Sequence, residues 1–253
     1  MNRVVTWAVC AFVLVPILAT LVVATSVDFS QGPWGGGFTL DWFAYAWPPL
    51  APVIGRSLAV AALVVVLNLA LGGPLAWWVA RHPSPLTRLT GYLVNVPLAV
   101  PGIALSVALV SAYAALRPSG LLLVMGHVVF TLPFTLAALV PALADDDLRL
   151  NEQVARSLGA GPARALATVT VPGCLIAITQ AMTMVFALSF GEFNISFFVN
   201  PPATPTVPFA LFDSYSTQRL EPASAQSIIF IAFVAPVLTA IVLARRHALR
   251  STP

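Results

Sequence analysis

The chain has 253 residues, of which 59% are hydrophobic and 8% charged, with a mean hydropathy of +0.92. A soluble fold this apolar would have no surface to show to water, so the composition excludes a soluble globular domain. The net charge of +3 is carried by arginines alone, with no lysine, and they form no basic patch on any single element, which argues against a nucleic-acid partner.

In lipid the backbone must satisfy its own polar groups, and long unbroken apolar runs select helices over a barrel. The sequence therefore predicts an all-α membrane protein: six transmembrane helices in one transmembrane domain covering residues 1–253. Span one covers residues 4–26. Its MNRVV start, apolar run and Ala24-Thr25-Ser26 resemble a signal peptide, but the apolar run of about twenty residues is too long for an h-region and reads as a retained helix. An outer loop, 27–50, carries Gly32-Pro33, Gly35-Gly36-Gly37 and Trp34, Trp42 and Trp47. Span two, 54–80, ends in Trp77-Trp78 ahead of Arg81-His82-Pro83, and span three covers 89–113 before the turn Arg117-Pro118-Ser119-Gly120.

Span four covers 120–143 and is followed by a polar loop, 144–172. Span five covers 173–199. A second outer segment, 200–222, holds Pro201, Pro202, Pro205 and Pro208, and span six, 223–244, leads into Arg245-Arg246-His247. All six tryptophans fall at predicted lipid–water boundaries. Prolines 74, 97, 101, 133 and 236 lie within spans, where neighbouring helices can satisfy the freed carbonyls. Nine arginines (3, 81, 88, 149, 156, 164, 245, 246 and 250) flank spans on one side and three (56, 117 and 219) on the other. That asymmetry places both termini and the loop 144–172 in the cytoplasm.

Within the loop, Asn151 or Asp147 is suited to cap a helix beginning near Glu152, with Asp145 and Asp146 at its positive end. Gly159-Ala160-Gly161 ends that helix, Pro162 opens a second, and Pro172 bends the chain into span five. The expected form is two short helices meeting at a glycine elbow, where a small residue lets another protein surface approach closely.

Residues 153–172 read QVARSLGAGPARALATVTVP. This stretch resembles the loop of ABC-importer permeases: Glu-Ala-Ala, then Gly six residues after its first position, then Ile-x-Leu-Pro ten residues after the Gly. Gln153-Val154-Ala155, Gly159 and Val169-Thr170-Val171-Pro172 fill that frame. The resemblance implies a coupling element that docks in a cleft of an ATPase subunit, with Gln153, Ala155, Gly159 and Pro172 at motif positions and Ala160 and Pro162 beside them. Gln stands for Glu at 153, so either Glu152 supplies the acidic contact or Gln153 hydrogen-bonds without charge. The likeness covers residues 50–245. FALSFGEFNISFFV at 186–199 and TPTVPFALF at 204–212 look like the branch serving polyamines, ferric iron, thiamine and phosphonates; the Ser-Phe-Gly-Glu-Phe core leans toward polyamines, while Gly191 also fits the iron and thiamine types.

The resemblance further implies a multi-pass subunit of the bacterial cytoplasmic (inner) membrane. Its partners are two ABC ATPase subunits, a second and different permease chain, and an extracytoplasmic substrate-binding protein that contacts the segment 201–222. It also implies no cofactor in this chain, ATP being bound by the ATPase subunits. Without lysine the chain has no P-loop, and it shows no catalytic Ser/His/Asp set and no metal-ligand spacing among its three histidines, so it reads as a permease rather than an enzyme.

Polar residues inside spans are costly and need a partner, water or a pathway. Glu192, more than halfway along span five, either lines the translocation route or bonds a neighbouring span beside Gly191. Asn68, Asn194 and His127 are the other pathway candidates, each also readable as an interhelical hydrogen-bonder. Asn200 belongs with them, and Cys10 and Cys174 read as small apolar filler. An ion-coupled secondary carrier is the alternative function, with Glu192 and His127 as its few titratable groups.

Overall fold

Regular structure is helical throughout, and the described residues contain no strand beyond one isolated bridge between Ser26 and Phe38. The structure is a computed structural model that describes residues 3–201 and 203–250, without the side chains of 237, 238 and 240–250. Pro202 and the side chains of Arg245, Arg246, His247 and Arg250 therefore lie outside the described residues.

The helices are α1 (Arg3–Ala24), α2 (Asp41–Arg81), α3 (Pro85–Ala99), α4 (Gly102–Tyr113), α5 (Leu121–Ala144) and α6 (Asp146–Ser157). They continue as α7 (Pro162–Ala165), a π-helical turn (Leu166–Thr170), α8 (Val171–Gly173), α9 (Leu175–Phe190), α10 (Ser196–Val199), α11 (Val207–Thr217) and α12 (Leu220–Arg250). Three of the described helices are long and apolar enough to cross a membrane: α1, α2 and α5. Counting each of two sharply bent helix pairs as one span brings the number to five.

Four expectations change. The first outer loop ends early, because α2 starts at Asp41, where Thr39 Oγ1 accepts the Asp41 N–H and an acidic first turn meets the helix dipole. Span three is broken: α3 and α4 meet at 103°. Pro101 excludes the helical conformation from Val100, which is extended (φ −93°, ψ 129°), so the chain turns there. Span five is also interrupted, at 191–195, between α9 and α10. The outer segment 200–222 is not a plain loop, since it contains α11, opened by Pro208 in its first turn.

By contact the chain divides into two compact units. The first takes in residues 1–57 and 204–237. Ala24, Ala46 and Ala225 are fully buried there and packed by Trp42, Phe43, Ile228 and Ile229. Its loop is pinned by polar contacts: Trp42 Nε1 donates to Ser26 O (2.9 Å) and Trp34 N to Ser26 Oγ (3.0 Å). Glu221 accepts from Phe29 N (2.8 Å) and from Arg219 Nη2 (3.0 Å), and the Arg219 guanidinium lies over the Trp42 ring and 3.6 Å from Asp28.

The hydrogen bonds of Ser30 and Gln31 hold the Asp28 carboxyl below its ordinary value. For Glu221, burial raises the pKa, but the Phe29 N–H and Arg219 outweigh it and the net direction is down. Carboxylates with lowered native values contribute stability that is present above their ordinary value near pH 4 and lost as pH falls through the folded value. Loop 27–40 is therefore expected to be released in acid below about pH 4 and to stay pinned at neutral pH. Limited proteolysis of that loop against pH checks this: cleavage that does not rise on acidification contradicts it.

The second unit takes in residues 58–203 and 238–253. Here α9 packs along α5, and α10 packs on α4. Small residues let the backbones approach: Ala76, Ala177 and Ala181 are buried beside Leu136, Leu139 and Leu143. A Cβ at Gly72 would meet Leu132 and Thr135 atoms at 2.9 Å, and one at Gly126 would meet Ile195 Cγ2 at 2.8 Å. Without a hydrophobic drive between helices in lipid, such close contacts and interhelical hydrogen bonds carry the association.

Candidate functional site

The polar loop forms the expected two-helix elbow, with a different start. Asp145 caps α6, its Oδ1 accepting from Leu148 N (3.0 Å), and Asp146 and Asp147 occupy the first turn. The cap is not Asn151 or Asp147, because the helix begins six residues ahead of Glu152, where three consecutive aspartates meet its positive end. At the other end Ala160 N donates to Ala155 O and Gly159 N to Arg156 O, a Schellman closure with Gly159 at φ +89°. Pro162 then opens α7 as predicted. Pro172 is not the joint. It sits inside α8, and the 70° bend falls after Gly173, ahead of α9. The π-helical turn just before α8 widens the backbone where Pro172 offers no N–H.

One side of the elbow is held inward. Glu152 is buried, and its Oε1 accepts from Arg81 Nη2 (2.8 Å), at the end of α2, and from Thr170 Oγ1 (2.7 Å). Arg149 Nη2 donates to Ala80 O (2.9 Å). A Cβ on Gly173 would meet Leu148 Cδ1 at 2.7 Å, so the second half of the elbow lies tight against α6. Glu152 is thus turned away from the surface that a partner would reach.

The other side is open. Gln153, Gly159, Pro162 and Pro172 are exposed, and Ala155 and Ala160 are half-buried. Leu150, Val154 and Leu158 are 57%, 49% and 83% exposed, and their spacing of four residues lines them up on one face. A polar helix whose apolar stripe faces outward while its carboxylate faces inward is inverted relative to a free surface helix.

Asn68, His127 and Glu192 form a second cluster. Asn68 Nδ2 donates to Thr131 Oγ1 (2.8 Å), Thr135 Oγ1 donates to Asn68 Oδ1 (3.2 Å), and Thr131 Oγ1 donates to His127 O (2.6 Å). His127 is fully buried, with Nδ1 2.8 Å from Ser189 Oγ and Nε2 3.0 Å from Ser196 Oγ. Glu192 lies in the break after α9, not in a continuous span, and its carboxylate accepts from Ile195 N and Ser196 N, each at 2.9 Å. It caps α10, and its Oε2 is 3.8 Å from His127 Nε2. Asn194 is exposed, with its Cβ 2.9 Å from where a Cβ on Gly102 would be. Asn200 O accepts from Arg117 Nε (2.9 Å), tying the end of α10 to the turn after α4.

The chain is similar to permeases of known transport systems. It is 33% identical over 178 residues to the molybdenum transport system permease protein ModB of Azotobacter vinelandii, covering 63% of this chain and 78% of that protein. To the ModB protein of Escherichia coli strain K12 it is 30% identical over 188 residues, 67% of this chain and 82% of the other. This chain belongs to the inner-membrane permeases of ABC importers. A putative 2-aminoethylphosphonate transport system permease, PhnV of Salmonella typhimurium, is 25% identical over 226 residues, 87% of this chain and 84% of that protein. No family model matches the permease.

Two groups important to the elbow escaped the sequence reading. Arg81 and Thr170 lie 71 and 18 residues from Glu152 in the chain, so no local pattern announces their convergence.

Proposed function

We propose that this permease lines the pathway for a small oxyanion, and that its elbow is the docking element for a separate ATPase subunit. The observation that supports the docking is the outward apolar stripe of Leu150, Val154 and Leu158 on a helix pair anchored from behind by Arg81 and Arg149. A rigid, partly apolar projection transmits movement to the helices behind it, and Gln153 and Gly159 leave room for a partner's surface. The contact carries no charge from Glu152, because that carboxylate is used internally.

In this reading the chain crosses the membrane six times with both termini in the cytoplasm, on the elbow's side. It pairs with a second permease chain, receives its solute from an extracytoplasmic binding protein at residues 201–222, and binds no cofactor of its own. ATP held by two ATPase subunits biases a two-state equilibrium between inward and outward access.

The substrate moves away from polyamines. The relatives above are named for molybdenum and 2-aminoethylphosphonate systems. Glu192, the residue that a cationic solute would need, spends both oxygens on backbone N–H groups. The same internal hydrogen bonds at Glu192 and His127 remove support from a proton-coupled carrier. Cells lacking their own uptake systems and expressing this permease with ATPase and binding-protein subunits are expected to accumulate molybdate or 2-aminoethylphosphonate. Accumulation of spermidine with neither anion would overturn the substrate class.

A further inference from the structure

Helix α9 is a rod between two breaks. At its start it meets the elbow at 70°, and at its end the chain leaves helical geometry over residues 191–195 before α10. Sixteen residues make it about 24 Å long, so a tilt imposed at the elbow arrives at the far break. What holds that far end is His127 of α5. Its ring bridges Ser189, one residue before the last of α9, and Ser196, the first residue of α10.

Each ring nitrogen of His127 thus pairs with one serine hydroxyl, and in a neutral imidazole one of the two donates while the other accepts. Both ring nitrogens of the buried His127 have partners only while both serines stay in reach, and a buried polar group that loses its partner is costly.

We infer that His127 is a positioning residue, a latch that fixes the angle between α9 and α10 and is released and re-formed as the permease changes state. The inference rests on the permease reading proposed above. Because α9 joins the elbow to the latch in one rigid piece, the latch sets how strongly the far break answers to nucleotide.

The test uses the assembled complex in proteoliposomes, with Cys10→Ala and Asn194→Cys so that the exposed break residue reports by its maleimide labelling rate. With the latch intact, that rate is expected to differ about tenfold between nucleotide-free and vanadate-trapped complexes. In Ser189→Ala the difference is expected to shrink to about twofold or less while ATP hydrolysis continues, since one lost buried bond shifts a two-state balance by about tenfold. Ser189→Thr restores the hydroxyl and the difference. Thr179→Ala, whose hydroxyl bonds Ile176 O within α9, leaves the difference unchanged.

An equal rate in both states with the latch intact overturns the latch. So does a difference that survives in both Ser189→Ala and Ser196→Ala, or one that Thr179→Ala also abolishes. Absence of ATP hydrolysis by the complex before any latch substitution overturns the permease reading instead.

Discussion

Arg81→Ala is expected to destabilise the elbow by about 3 kcal/mol, because it leaves the Glu152 carboxylate buried with only the Thr170 hydroxyl as partner. The distances are short and both side chains are largely buried, at 13% and 9% exposure, so this is not the weak pair of a protein surface. Restoring charge balance should recover most of the loss: Arg81→Met with Glu152→Leu removes both charges, and the double variant is expected to be near the parent in stability. Thermal unfolding in detergent of the parent, Arg81→Met, Glu152→Leu and the double variant measures the coupling between the two residues. A single-variant loss below about 1 kcal/mol, as for an exposed pair, contradicts the assignment. The consequence for function is indirect. With its anchor gone the elbow moves independently of α2, and ATP hydrolysis becomes detached from uptake.

Gly159→Trp is expected to abolish transport while leaving membrane insertion intact. Two effects combine. The backbone at 159 sits at φ +89°, a conformation that a residue with a Cβ adopts only at a cost of about 1–3 kcal/mol. A Cβ there meets nothing within 4 Å, so the indole ring projects outward beside Leu158 rather than into the permease's own core. A bulky ring at that point obstructs the partner. Asn in the same place tolerates positive φ and is small, so Gly159→Asn should keep most of the activity. Wild-type uptake by Gly159→Trp would contradict the docking surface.

Different parts of the molecule were legible in the sequence to different degrees, for physical reasons. Span four was read within a residue of α5, because its apolar run is bounded by Gly120 and a string of aspartates. The elbow was legible because Gly159 and Pro162 act through backbone geometry, which is local. The breaks at 100–101 and 191–195 were not. Proline is a poor guide inside a membrane helix: Pro16, Pro133, Pro141 and Pro236 all sit in continuous helices here. Only at Pro101 does the preceding Val100 turn extended and the chain fold back.

The roles of the polar residues were the hardest to see. Glu152 and Glu192 both looked available to ligands or partners, and each is satisfied inside the protein, one by Arg81 and Thr170 and the other by backbone N–H groups. Their partners depend on which helices pack together. Spacing carries the face of a helix but not the neighbour that face meets.

The proposed seat of an ATPase subunit is the face bearing Leu150, Val154 and Leu158. Co-purification with a co-expressed ABC ATPase subunit tests it, using the parent chain and Leu158→Asp, which sets a charge in the apolar contact. The parent should retain the ATPase through gel filtration as a complex that hydrolyses ATP, and Leu158→Asp should lose it while remaining folded in the membrane. Equal retention of the ATPase by both would rule out this face as the docking surface.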